Sequence, residues 1–212
     1  PMWGIESPAK REGGFGNHKW LMCMLENFGG NVGLHGRMDG LLDNYRQIST
    51  HPLGRNCLGT GLTMEGSENN PVMFELMAEL PWMDAIPTKE EWLRYYVKTR
   101  YGRFDNNIYR AWLILADGIY NAPMGNIQQG PHESIFCARP SLDNFQVSSW
   151  SKMRNYYDPT STAEAARLML EAADSFRGNN NFEYDLVDIT RQAIADEARR
   201  TYQHTIADYK CF

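Results

Sequence analysis

The amino-acid sequence predicts an α/β segment followed by a mostly α-helical one. Up to Pro81, short apolar runs alternate with glycine-rich loops in the order strand, loop, helix, strand, loop, helix, which is the order of parallel α/β units. From Thr88 onward, helix signals dominate and strand signals nearly disappear. The change of pattern near Pro87 therefore divides the 212 residues into two parts.

Two short apolar runs in the first part are predicted to be strands. Residues 19–25 (KWLMCML) form a continuous apolar run that ends at Glu26, as is typical of a strand buried on both faces. Residues 56–62 (NCLGTGL) form the second run. In a barrel of parallel α/β units, functional residues cluster in the loops that follow the strands. Those loops read NFGGN and TMEGSEN here.

Each predicted strand is followed by a predicted helix. Asn70 can cap the second of these helices, with Pro71 at its first position, where a missing N–H costs little. The first helix is predicted over residues 36–47. Its apolar residues recur at spacings of three and four, namely Met38, Leu41, Leu42 and Tyr45.

Three helix starts are predicted in the second part of the chain. Thr88 with Glu91 forms a capping-box pattern, and Ser161 with Glu164 forms another. Asp105 is a third candidate N-cap.

A last helix is predicted from about Tyr184 to the end of the chain, with Val187, Ile194 and Ala198 facing inward. We expect the aromatic residues to be core residues first and sugar-stacking platforms second.

Composition excludes several classes of function. The net charge is −5 with acidic and basic residues interspersed, so the sequence lacks the basic stripe of a nucleic-acid-binding protein. No run approaches the roughly 20 apolar residues of a membrane span. Nucleotide-binding, serine-hydrolase and zinc-peptidase motifs are also missing, so we expect no cofactor.

The cysteines and the two ends of the chain complete this first description. The cysteines stand far apart, without the spacing of a metal site, so we expect no metal and mostly buried thiols. They are Cys23, Cys57, Cys137 and Cys211. The chain begins at Pro1 without an initiator Met, and the last helix pattern runs to Phe212 without a cap. We therefore expect a piece of a longer protein, with any export signal upstream.

Glu65 is the first candidate for a catalytic group. It lies just after the second predicted strand, between Met64 and Gly66, where a barrel enzyme places its functional side chains. A carboxylate there can act as nucleophile, base or metal ligand. The alternative is a solvated loop glutamate, and position alone favours that alternative.

The loop after the first strand and a lone histidine are weaker candidates. Asn27 and its neighbours could hold sugar hydroxyls, but asparagine and glycine are also the ordinary residues of a turn. His132 stands apart from any other ligand type, and such a histidine is more often structural than catalytic.

Several blocks of sequence, in one order, resemble the α-N-acetylglucosaminidases of glycoside hydrolase family 89. The blocks read WLMCMLENFGGNVGLHG, GTGLTMEGSENNPVMFELMAEL, RYG, ARPSL and FEYDLVDITRQA, and they cover nearly the whole chain. The resemblance implies a (β/α)8-type catalytic barrel followed by an all-helical domain. Residues 1–86 would then be the last strands and helices of the barrel, and residues 87–212 the N-terminal part of the helical domain.

The resemblance also assigns roles to residues. Glu65 matches the nucleophile of a retaining exo-glycosidase that removes terminal α-linked N-acetylglucosamine, while the acid/base glutamate would lie upstream of Pro1. The chain alone would then be inactive and would need the upstream barrel and the downstream helices. An exported location is implied by the family only. The substrate-binding positions would be Met2, Trp3, Cys23, Leu25, Asn27, Phe28 and His132.

Two other functions remain open from the sequence. One is a noncatalytic carbohydrate-binding segment. The other is a structural helical domain that packs on a barrel, in which Trp92, Trp112 and Trp150 would form the core or an interface.

Overall fold

The structure, a computed structural model, describes residues 18–26, 33–64, 70–123, 134–143, 147 and 155–211. In this part of the chain two strands alternate with two helices, and further helices follow. In order, the elements are β1 (Trp20–Glu26), α1 (Met38–Thr50), β2 (Cys57–Met64), α2 (Pro71–Glu79), α3 (Lys89–Tyr101), α4 (Asn106–Asp117), α5 (Thr160–Ala172) and α6 (Asn180–Lys210).

The two strands lie side by side and run parallel, as expected of consecutive α/β units. Met22 and Met24 are buried in one core with residues of α1 and α2. Leu21 and Cys23, which alternate with them, are exposed. The prediction of a strand buried on both faces is therefore wrong among the described residues, because only the face toward the helices is covered.

The helix predicted over residues 36–47 is confirmed as α1, which begins at Met38 and ends at Thr50. Its buried side chains are Met38, Leu41, Leu42 and Ile48.

Two of the predicted helix starts are confirmed. Thr88 Oγ1 accepts a hydrogen bond from the Glu91 N–H at 3.2 Å, and Glu91 Oε2 accepts one from the Thr88 N–H at 2.9 Å. This is a complete capping box for α3. At the start of α4, Asp105 Oδ1 accepts from the N–H groups of Asn107 and Ile108.

The capping box predicted at Ser161 and Glu164 is wrong. Helix α5 begins at Thr160 with Pro159 at the cap position, two residues before the cap predicted at Ser161. The Asp158 carboxylate accepts from the Thr160 N–H at 2.9 Å, and the Ser161 hydroxyl donates to the Asp158 carbonyl at 2.6 Å. Asp158 therefore provides an acceptor ahead of the predicted one, and Glu164 pairs with Arg167 instead.

The face predicted to be buried on the last helix is also wrong. Val187 and Ile194 are 69% and 61% exposed, and Ala198 is half-buried. The buried residues of α6 lie on another face and are mostly polar. They are Phe182, Asp185, Ile189, Gln192, Ala195, Asp196 and Arg199.

Those buried polar groups are hydrogen-bonded to other helices and loops. Asp185 accepts from Arg100 and from the Tyr101 hydroxyl. Asp196 accepts from Tyr157 at 2.9 Å and from Thr162 at 2.9 Å. Because burying a polar group costs little free energy once it is paired, these contacts allow a polar face to point inward.

The aromatic prediction is confirmed for a central cluster but not for Trp82 and Phe136, which are 88% and 77% exposed. Trp92 and Trp112 are buried, and Tyr96 contacts both rings. Trp150 lies outside the described residues.

The prediction of mostly buried thiols is wrong. Cys23, Cys137 and Cys211 are exposed, and Cys57 is half-buried. Cys23 and Cys57 lie on the two strands, Cys137 on the short turn Ile135–Cys137 and Cys211 at the end of α6, and none of these places is fully covered in the described part of the chain.

In the described residues, no helix combines the length and the apolar character that crossing a membrane requires. The same residues contain no group of three or more His, Cys, Asp or Glu side chains arranged to hold a metal ion.

Candidate active site

The ends of the two parallel strands define where a site could lie. Glu26 and Met64 pair in register, so both strands end at the same edge of the sheet. The predicted nucleophile Glu65 comes next in the sequence after Met64. Glu65 itself lies outside the described residues, and so do the other predicted positions Met2, Trp3, Asn27, Phe28 and His132.

Two predicted substrate-binding residues, Cys23 and Leu25, fall within the described part and lie on one face of β1. They alternate with Met22 and Met24, which point toward the helices, so their side chains point to the opposite face. Cys23 is exposed and Leu25 is half-buried. In a closed barrel of this kind, the face away from the helices is the interior.

Gly61 of β2 packs closely against Cys23. Cys23 pairs in register with Gly61, and a Cβ atom added to Gly61 would lie 3.0 Å from the Cys23 Sγ. A Cβ atom on Gly59 would meet only the Leu21 Cδ2, at 3.7 Å. A strand glycine can mark a place where a ligand approaches closely. In the sequence, the sign of this arrangement is that Gly59 and Gly61 are two residues apart, because alternate residues of a strand lie on the same face.

A buried asparagine connects the segments that follow the two strands. Asn70 is the N-cap residue of α2 and Pro71 occupies the first position, as predicted, but the Asn70 side chain makes no capping hydrogen bond. Its side chain turns instead to the segment after β1, where Oδ1 accepts from the His35 N–H at 2.9 Å and Nδ2 donates to the Gly33 carbonyl at 3.4 Å. Asn70 is fully buried and has a positive φ of 54°.

His35 joins the same segment to the second part of the chain. Its Nδ1 lies 3.0 Å from the Tyr156 hydroxyl oxygen, and that hydroxyl donates its proton to the Ile119 carbonyl. The imidazole Nδ1–H must then be the donor to Tyr156, because a hydroxyl has one proton. Burial, reinforced by the positive charge of Arg37, lowers the pKa of His35 to about 4, so the ring is neutral at pH 7.

Backbone groups near His35 are bonded to the helical part as well. The Leu34 N–H donates to the Gln192 Oε1 at 3.0 Å, and the Ala122 N–H donates to the Gly36 carbonyl at 2.9 Å. Sequence reasoning gave no role to His35 and Gln192 and gave Asn70 only that of a helix cap, because nothing in their local pattern shows which distant segments they contact.

Gly36 has no room for a side chain. A Cβ atom there would lie 2.6 Å from the Met73 Sδ and 2.8 Å from the Tyr120 Cδ1. The backbone of this segment is therefore enclosed between α2 and the turn after α4.

Comparisons with known families match both parts of the chain. Residues 4–84 match the model of the α-N-acetylglucosaminidase (NAGLU) tim-barrel domain, and residues 92–211 match that of the NAGLU C-terminal domain. The chain is 33% identical over 200 residues to human α-N-acetylglucosaminidase. The match covers 94% of this chain and 26% of the relative, so the chain spans about a quarter of that protein.

Solved structures of a family 89 glycoside hydrolase from Clostridium perfringens share the fold. The complex with 2-acetamido-1,2-dideoxynojirmycin is 29% identical, with a TM-score of 0.78 over 87% of this chain and 20% of that one. The complex with PUGNAc is 26% identical, with a TM-score of 0.81 over 94% of this chain and 23% of that one. Both domain models and these structures agree that the chain belongs to the α-N-acetylglucosaminidases of glycoside hydrolase family 89.

Proposed function

We propose that the complete enzyme, meaning the full-length protein that carries this chain, hydrolyses terminal, non-reducing α-linked N-acetylglucosamine with net retention. The observation that carries the proposal is the common end of β1 and β2, with Cys23 and Leu25 on the face away from the helices. Barrel enzymes build their active sites from the loops at that end of the strands. Glu65 follows β2 directly and is the proposed nucleophile.

Retention requires two carboxyl groups about 5 to 5.5 Å apart. Glu65 would attack the anomeric carbon while a second carboxylic acid protonates the leaving oxygen. After formation of the glycosyl-enzyme, that second group would activate the water that releases the sugar. A C. perfringens relative in which two glutamates are replaced by glutamine forms a complex with its substrate GlcNAc-α-1,4-galactose, which supports a two-carboxylate reaction.

The second carboxyl group belongs, on this proposal, to a barrel loop upstream of Pro1. The 212 residues by themselves would therefore be inactive. The expectation agrees with the short span of the match, which is 26% of the human relative.

Apolar and polar side chains would recognise different parts of the sugar. Cys23, Leu25 and Phe28 would contact the acetamido methyl group, and Asn27 would bind hydroxyls, as small-ligand sites combine apolar walls with a few polar groups. The absence of a side chain at Gly61, next to Cys23, supports the close approach of a ligand on this face. Further lining positions would be Met2, Trp3 and His132.

We divide the chain at residue 86, with the last strands and helices of the barrel before it and the start of the helical domain after it. The matches to the two family models end at residue 84 and begin at residue 92, which supports this division. An exported location is proposed from the family alone.

An exposed apolar surface on α6 supports the proposal that other parts of the complete protein pack against this chain. Phe136 is 77% exposed and lies with Val187 and Ile194 along an apolar groove between residues 134–140 and α6. We call this the α6 groove. Apolar patches of this kind usually mark a contact surface. Downstream helices of the same helical domain are its proposed cover.

The test is the replacement of Glu65 by Ala in the complete enzyme, assayed on an aryl α-N-acetylglucosaminide. Turnover should be lost, and added azide should restore release of the aryl group, because a small anion can replace the missing carboxylate. For the wild-type enzyme, NMR should show the α-anomer of N-acetylglucosamine as the first product. Glu90→Gln, at an exposed position of α3, is the matched control and should keep full activity.

The other outcomes decide between the rival functions. Normal turnover by Glu65→Ala would refute the nucleophile assignment. Sugar binding by the wild-type protein without turnover would favour a noncatalytic carbohydrate-binding role. A protein with neither binding nor turnover would favour a structural helical segment.

A further inference from the structure

We propose that Thr63 is a specificity-determining residue, whose hydroxyl group donates a hydrogen bond to the carbonyl oxygen of the acetamido group of the sugar. This role rests on the proposed function, because it requires N-acetylglucosamine to bind on the face of the strands away from the helices. The orientation of Thr63, its position near the end of β2 and the state of its hydroxyl group are all seen within the described residues.

Thr63 lies on the same face of the sheet as Cys23 and Leu25. It pairs in register with Leu25, just as Gly61 pairs with Cys23. Paired residues of neighbouring parallel strands share a face, because the two strands are pleated together. The position of Gly61 agrees with this orientation, since a Cβ atom there would lie 3.0 Å from the Cys23 Sγ. Thr63 follows Gly61 by two residues and is therefore on that face as well.

Thr63 is also the last described residue of this face before β2 ends at Met64. Leu25 has the corresponding position in β1, which ends at Glu26. Barrel enzymes build their active sites at this end of the strands. A hydroxyl group and an apolar side chain therefore stand next to each other where a substrate is expected to bind.

The Thr63 side chain is exposed, and its hydroxyl group makes no hydrogen bond with any residue that the structure describes. Its neighbours on this face offer little, because Leu25 and Gly61 have no polar side-chain atom and the Cys23 thiol is a weak donor and acceptor. Valine has the same branched shape and is equally suited to a strand. Inside a barrel it would avoid the cost of an unpaired hydroxyl group, so we expect this hydroxyl group to have a partner in the complete enzyme.

An acetamido group matches the pair formed by Leu25 and Thr63. Its methyl group and its carbonyl oxygen are bonded to the same carbon atom, and neighbouring strands lie about 4.8 Å apart. With the methyl group against Leu25 and Cys23, the carbonyl oxygen can accept from the Thr63 hydroxyl on the next strand. A sugar with a hydroxyl group in place of the acetamido group has neither the methyl group nor the carbonyl oxygen. Thr63 would therefore favour N-acetylglucosamine over glucose.

The experiment uses Thr63→Val in the complete enzyme, which removes the hydroxyl group and keeps the branched shape. Two competitive inhibitors are measured against hydrolysis of an aryl α-N-acetylglucosaminide. One is an iminosugar analogue of N-acetylglucosamine, and the other is the same iminosugar with a hydroxyl group in place of the acetamido group. We expect the inhibition constant of the first to rise roughly 3- to 10-fold, the effect of one lost hydrogen bond. That of the second should change by less than about twofold.

Two further variants test whether the effect belongs to the hydroxyl group. Thr60→Val makes the same substitution on the same strand, but Thr60 pairs with Met22 and therefore faces the helices. It should leave both inhibition constants unchanged. Thr63→Ser keeps the hydroxyl group, so it should bind the acetamido inhibitor more tightly than Thr63→Val does.

The proposal is overturned if Thr63→Val leaves the inhibition constant of the acetamido inhibitor unchanged, as it would if the hydroxyl group were bonded to another part of the barrel. An equal rise for both inhibitors, or equal effects of Thr60→Val and Thr63→Val, would overturn it as well. Failure of the proposed function looks different, since the wild-type enzyme would then show no turnover or Glu65→Ala would be fully active.

Discussion

Arg100 on α3 and Asp185 on α6 form an ion pair with two hydrogen bonds, in which Nε lies 2.5 Å from Oδ2 and Nη2 lies 3.0 Å from Oδ1. The third nitrogen, Nη1, contacts Glu75 on α2 at 2.6 Å. One guanidinium therefore links a helix matched by the barrel model to two helices matched by the C-terminal model. Burial opposes its charge, but the hydrogen bonds to Asp185 together with the negative charges of Asp185 and Glu75 raise the pKa of Arg100 above its ordinary value.

We predict that Arg100→Ala lowers the free energy of unfolding by about 3–5 kcal/mol, because it leaves the Asp185 carboxylate buried without its cation. Arg100→Lys should recover only part of the loss, since an ammonium group cannot donate in the same fork. Urea denaturation of the complete enzyme would measure both. The control is Arg167→Ala, which breaks an exposed pair with Glu164 and should have little effect. Equal losses for the two alanine variants would contradict the prediction.

Burial of His35 predicts a loss of stability in acid. The pKa of His35 is lowered from 6.5 to about 4, so below pH 6.5 the unfolded chain takes up a proton that the folded chain refuses. The free energy of unfolding should fall as the pH drops from 6.5 to 4 and should lose nothing further from this group below pH 4. At 1.36 kcal/mol per pH unit, the loss is about 3 kcal/mol.

The raised pKa of buried Asp185 and that of Asp196 act in the opposite direction, because burial makes both carboxyl groups bind protons more readily in the folded state. The His35 contribution is therefore measured as the difference in pH dependence between the wild-type protein and His35→Gln, which does not titrate. Identical pH profiles for the two proteins would show that the prediction is wrong.

The close contact between Gly61 and Cys23 predicts that Gly61→Ala weakens substrate binding. The new methyl group would lie 3.0 Å from the Cys23 Sγ, on the face proposed to hold the sugar. We expect KM for an aryl α-N-acetylglucosaminide to rise roughly 10-fold, the low end of the effect of one methyl group in a pocket. Gly59→Ala is the matched control, because its methyl group meets Leu21 at 3.7 Å, an ordinary contact. A larger effect from Gly59→Ala would place the sugar elsewhere.

We predict that the residues of the α6 groove are shielded from solvent in the complete enzyme. Ile194→Cys should react slowly with a thiol reagent there, because the proposed downstream helices cover the position. Asp174→Cys, at a position where the side chain is 96% exposed, should react quickly. Peptide mass analysis would separate these sites from the native cysteines. Equal labelling rates would mean that the groove is open in the intact protein.

Local chemistry made part of the fold predictable from the sequence. The capping box of Thr88 and Glu91 needs only groups within one turn, and it forms as predicted. The start of α4 at Asp105 is confirmed for the same reason. The prediction at Ser161 failed because a second local acceptor, Asp158, lies three residues earlier and starts the helix first.

The buried face of α6 could not be predicted from its own residues. The helical period was right, but apolar side chains were assigned to the interior, whereas Asp185 and Asp196 lie there. Their partners, such as Tyr101 and Thr162, come from distant segments. A pattern within one helix carries no information about such partners.

The candidate site, too, could be predicted from the sequence only in part. The place of Cys23 and Leu25 on one face of β1 follows from the two-residue period of a strand and agrees with the structure. Their role in binding, like that of Glu65, stays a prediction. The connection through Asn70 could not be foreseen, because it depends on which backbone groups the fold brings to its carboxamide.

Gln192 holds the backbone N–H of Leu34 across 158 positions of the chain. A main-chain amide is the same donor whatever side chain occupies position 34, proline excepted. A substitution at position 34 therefore does not favour a compensating substitution at Gln192. Methods that infer contacts from correlated substitutions between relatives would therefore pass over this tie, although it connects the two parts of the molecule.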